Sequence, residues 1–180
     1  MAQKFVERKG VEIMLSIIKE KYTGELDVDQ LTTLENIFDV FCHTIPNMNA
    51  KNMVDIDKFS HVIDAGISTM AILSNINTHD AAVAHLKESI FIYFQNFVSF
   101  NADMMDIVDF QEKNIFPKCV RDLKSPVDNT WKYDKDVWES ASSFFYGCCY
   151  GNRKILSRED DFEVIVPFLI QFMKEDPDNV

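Results

Sequence analysis

Apolar residues along this chain recur three and four places apart, the period of helices that pack by one face. The clearest stretches are 35–45, 88–98 and 139–149, which align without gaps. Their matched positions are Ile37/Ile90/Ala141, Val40/Tyr93/Phe144, Phe41/Phe94/Phe145 and Ile45/Val98/Cys149. Within each copy these fall at i, i+3, i+4 and i+8, a stripe along one broad helical face. Glu35, Glu88 and Glu139 open the copies, 53 and then 51 residues apart. The spacing predicts the same helix three times.

A second set of segments lies between them, around 5–15, 62–70 and 110–119, with Gly10, Gly66 and Asn114 at the matched centres. Gly and Asn best tolerate the left-handed backbone that ends one helix before a sharp turn. The apolar residues after the first of these, Val11, Met14, Leu15 and Ile18, again have helical spacing. Pro117 fits a first turn, whose N–H groups have no partner inside the helix. The predicted unit is therefore a short helix, a turn, a second helix, a loop and a long third helix. Loops are expected at 46–52, 77–80 and 125–134, where Pro, Asn, Asp and Ser gather. Approximate repeats run 1–46, 47–100 and 101–151. A partial one at 152–175 carries a final apolar helix (162–174), and an acidic tail spans 175–180.

Composition agrees with an all-α domain. Among 180 residues, 47% are hydrophobic and 26% charged, and only 5 Gly and 5 Pro punctuate the chain, too few for a many-stranded fold. That length suffices for one domain with a sizeable core. The net charge of -11 opposes nucleic-acid binding, since basic residues such as Lys118, Arg121 and Lys124 form only short groups diluted by acids. It suits a basic protein or peptide partner, although solubility alone explains it equally well. No CxxC pair joins Cys42, Cys119, Cys148 and Cys149. Buried free thiols, and hence the cytoplasm or the nucleus, are expected. No apolar run reaches the length of a membrane span.

The pattern resembles the armadillo repeat. The segment 62–67 is the closest copy of the family's Ala-Gly turn through Ala65 and Gly66, and 93–97 of its third-helix run through Asn96 and Phe97. The unit of about 50 residues is longer than the family's roughly 40. The resemblance implies a right-handed superhelix of about three repeats plus a terminal helix, whose third helices line a concave groove for an extended partner. Import receptors of that family carry a Trp and, four residues on, an Asn along the groove. The matching pairs here are Asp39 with His43, Ile92 with Asn96, and Ser143 with Gly147. Asn96 alone keeps the family residue, so a different ligand is expected on these six positions.

Catalytic and metal chemistry finds no support in the motifs. Asp55 and Asp27 each begin an Asp-x-Asp stretch, yet Phe59 and Leu31 stand where a calcium loop needs an oxygen ligand, and Ser60 and Thr32 where it needs Gly. Cys42 beside His43, Cys148 beside Cys149, and His79 with His85 lack zinc spacing. The glycines form no phosphate cradle. The acidic run at 159–161 reads as a helix start. Trp131 and Tyr133 fall in a loop, where aromatics are candidate partner contacts. The expectation is a non-enzymatic adaptor without cofactor or metal. The competing reading is a regulatory or dimerisation domain, resembling that of formins, which pairs through its end helices.

Overall fold

The segments 35–44, 88–98 and 139–149 each lie within a long helix. In the computed structural model, residues 4–5, 9–22, 26–44, 56–76, 81–100, 114–125, 127–151 and 159–179 are described. Among them run seven α-helices: α1 (Gly10–Lys21), α2 (Val28–Thr44), α3 (Ile56–Asn75), α4 (Ala81–Phe100), α5 (Ile115–Asp122), α6 (Lys135–Gly151) and α7 (Glu159–Glu175). A 3-10 turn at Pro177–Asn179 follows. The described residues are thus all-α, apart from one isolated antiparallel bridge between Lys124 and Trp131. No described helix is long and apolar enough to cross a membrane.

Local signals explain the helix starts. Asp27 Oδ1 accepts from the Gln30 N–H (2.8 Å) while Gln30 Oε1 accepts from the Asp27 N–H (3.0 Å). This reciprocal box satisfies donors that the first turn of α2 leaves unpaired. Asp134 does the same for α6, accepting from the Val137 N–H at 3.2 Å. Lys9 and Asn114, immediately before α1 and α5, are left-handed, with φ of 59° and 49°.

The helices pack in two rows. In one, α4 lies between α2 and α6; in the other, α1, α3, α5 and α7 follow one another, with α3 also touching α4. Contacts in the first row keep a register near the repeat length. Phe38 and Phe41 meet Tyr93, with ring centroids 6.3 and 5.9 Å apart, and Phe91 and Phe94 meet Phe144 at 6.3 and 5.4 Å. Ser89 donates to Asp39 and Asn96 to the Cys42 carbonyl, while Phe144 meets Phe94 and Gly147 approaches Val98. Residue numbers rise together across each pair, so α2, α4 and α6 run parallel. Phe116 from the second row stacks on Phe144 at 6.0 Å and closes the centre of the core.

Two expectations need correction. Gly66 makes no turn, because α3 runs unbroken through it. A Cβ there would stand 2.9 Å from Cε1 of Phe94 and 3.1 Å from Cγ2 of Ile90, so the glycine lets α3 and α4 approach closely instead of reversing the chain. The other concerns the first turn: Lys9 takes the left-handed conformation, and Gly10 begins α1 against the ring of Phe5. Asn114 does occupy the expected turn. The loops at 46–52 and 77–80, Ile45, Pro126 and the segment preceding Asn114 lie outside the described residues, whereas 125 and 127–134 form a loop as expected. Helix α7 spans the expected 162–174. Beyond it Asp176 is buried, its carboxylate 3.0 Å from Lys135 Nζ.

Candidate functional site

The outward stripes of α2, α4 and α6 lie side by side because the helices are parallel and in repeat register. Asp39 and His43 are exposed on α2, Ile92 and Asn96 are half-buried on α4, and Ser143 and Gly147 are half-buried on α6. The six positions therefore form two levels across the row: Asp39, Ile92 and Ser143, then His43, Asn96 and Gly147. Hydrogen bonds tie the first two helices together at these levels. Ser89 Oγ donates to Asp39 Oδ1 (3.2 Å), and Asn96 Nδ2 donates to the Cys42 carbonyl (3.5 Å). A Cβ at Gly147 would meet Val98 Cγ1 at 3.7 Å, an ordinary contact, so α6 sits close against the end of α4.

A third level lies one turn earlier, where Glu35, Glu88 and Glu139 stand half-buried at matched positions. Partial burial raises the Glu88 pKa above the ordinary carboxylate value; the charge of Asp136 adds to this, as do Asp134 and Glu35, while His85 opposes. That pattern brings Glu35, Glu88, Asp134 and Asp136 near one another, whereas Glu139 pairs with Lys135 Nζ at 3.7 Å. The Glu residues were visible in the sequence as repeat markers.

Cys42 lies between α2 and α4, its Sγ 3.6 Å from the Ser89 carbonyl. Burial, and then the charge of Asp39, push its thiol up to about 12. Burial also raises Cys119, Cys148 and Cys149. All four are free thiols, and a raised pKa makes each a poor nucleophile near neutrality. Among the described residues, no three His, Cys, Asp or Glu side chains come together as metal ligands.

The loop aromatics take different places. Trp131 is half-buried and packs on Trp138 (5.7 Å) and Phe168 (5.8 Å), with Lys124 Nζ 4.4 Å above its ring. Tyr133 is 42% exposed, its ring 5.1 Å from Trp138. Trp131 thus anchors the loop between α5 and α6, and Tyr133 remains accessible. The residues that sequence reasoning missed are Lys87 and Asp122, which meet in a cleft beside this loop. A lone lysine on an amphipathic helix gives no signal in the sequence.

No family model, no curated protein and no solved structure matches this chain.

Proposed function

We propose that the chain is an armadillo-like interaction scaffold without catalytic activity. It holds an extended, basic partner segment across the outward face of α2, α4 and α6. The observation that carries this reading is the alignment of equivalent positions on three parallel helices, with an acidic band of Glu35, Glu88, Asp134 and Asp136 beside them. The alternating two-row packing supports a solenoid order. Each exposed charge pair contributes only about 0.2–1 kcal/mol, so several contacts along the segment would set the affinity. Steering by the band speeds association and weakens with salt.

The test is the double variant His43→Ala with Asn96→Ala. Both residues are at least partly exposed, and Asn96 gives up a long hydrogen bond to Cys42, so the fold of the variant is checked by circular dichroism alongside. Affinity for a basic peptide selected on the native protein should fall about tenfold or more, equivalent to about 1.4 kcal/mol. Unchanged affinity with an intact fold removes the face assignment.

One observation favours a second reading, association through an end helix. The outward face of α7 carries Phe162, Val166, Ile170 and Met173, exposed by 42%, 40%, 44% and 45%. Their spacing puts them on one face. Under this reading mass measured by light scattering rises with concentration, and Ile170→Asp abolishes the rise. A mass that stays constant disfavours it.

A further inference from the structure

A cleft of about 550 Å³ opens between the end of α3, the start of α4 and the loop after α5. That volume is in the range that holds small organic ligands. Leu73, Val83, Val137 and Trp131 give it apolar walls, and Lys87, Lys132, Asp122 and Asp134 supply its charges. Each acid has a protein partner, while Asp122 Oδ2 is buried without one among the described residues. Asp122, 1% exposed, accepts from Arg121 Nε at 2.8 Å, and Asp134 caps α6. Lys87 is served differently. Its Nζ donates to the main-chain carbonyl of Asp122 at 3.2 Å, and no carboxylate among the described residues forms an ion pair with it.

We propose that this cleft binds a small apolar carboxylic acid, aliphatic or aromatic, whose carboxylate sits on Lys87 and Lys132 and whose body lies along Leu73, Val83 and Trp131. A half-buried ammonium with only a neutral partner is the group that gains most from an entering anion. Its acidity points the same way. Burial lowers the Lys87 pKa to about 8; Lys132 adds to the fall, and Asp122 and Asp134 oppose it. The lining from α3, the residue after it and α6 is apolar (Leu73, Ile76, Val137), and the loop adds the phenol of Tyr133, whose pKa burial raises. A bound carboxylate therefore raises that pKa and takes up protons near and above it, and binding weakens with pH well before an ordinary lysine would titrate. The cleft lies apart from the six face residues, so the proposal stands independently of the scaffold reading.

Trp131 lines the cleft beside Trp138, and these are the only two Trp of the chain, so tryptophan fluorescence reports occupancy. Phenylpropionate titrated into the full chain should bind at least about tenfold more tightly than its neutral counterpart phenylpropanol, a difference of about 1.4 kcal/mol. Lys87→Met, which keeps the length and apolar stem, should erase that preference, and His43→Ala with Asn96→Ala should leave it intact. Raising the pH of the native protein through about 8 should reduce phenylpropionate affinity but not phenylpropanol affinity, an arm that needs no variant to fold. Equal affinity for acid and alcohol, an undiminished preference in folded Lys87→Met, or no saturation by phenylpropionate at millimolar concentration overturns the proposal.

Discussion

Single residues set where this chain bends and where its helices touch. Gly66 is the sharpest case, because a side chain there collides with Phe94, which is fully buried. Overpacking costs about 1–3 kcal/mol, so Gly66→Val should destabilise the protein by about that much in urea unfolding. Adding Phe94→Leu should recover part of the loss; independent, additive losses would show that the two side chains do not compete for space. A turn and a close approach both ask for glycine, which is why the sequence alone could not separate them at position 66. Asn114 lacked that ambiguity, and its φ of 49° is the expected one. Lys87 makes a prediction about pH. In the unfolded chain a lysine keeps its proton to about 10.5, whereas in the folded protein this one releases it near 8. Between those values the unfolded state binds more protons, so this group's contribution to stability rises with pH. Lys87→Met should accordingly be more stable than the native protein near neutrality, with the gap closing from about pH 8 to 10.5. A gap independent of pH would contradict the assigned cause. Comparing the two proteins cancels the opposite trend of the buried thiols.

At the scale of elements, the helices of the first row were legible and the second row was less so. Three aligned stripes located α2, α4 and α6, because the middle helix of a row must be apolar on broad faces. The matched stripe overstates burial at the row's edge: Tyr93 and Phe144 are fully buried, but Val40 is 37% exposed, since α2 has a row neighbour on one side only among the described residues. The rigid pairing of Trp131 with Trp138 and Phe168 was hidden for another reason, that loop residues meet helices distant in sequence. Helix α7 contains Pro167 at an exposed position, where it removes one backbone hydrogen bond and crowds the preceding turn. Pro167→Ala should stabilise the protein by up to about 3 kcal/mol, measured by thermal or denaturant unfolding. No gain would mean that neighbouring contacts already absorb the break.

In the whole molecule three long helices pack side by side in one row, and that order gives meaning to residues that look ordinary one at a time. Asp39, His43 and Asn96 form no motif in the sequence beyond a helical spacing; parallel packing puts them beside one another and next to an acidic band. The ligand was not legible, because the proposed face is assembled from three helices and not from any one of them. The most direct measurement of the scaffold reading is a random-peptide selection on the native chain, followed by titration of the enriched peptides against His43→Ala with Asn96→Ala and against Glu35→Gln with Glu88→Gln. The account predicts peptides rich in Lys and Arg, weakened about tenfold or more by either pair of substitutions and weakened further by salt. Enriched peptides without basic residues, or ones bound equally well by both folded variants, would contradict it.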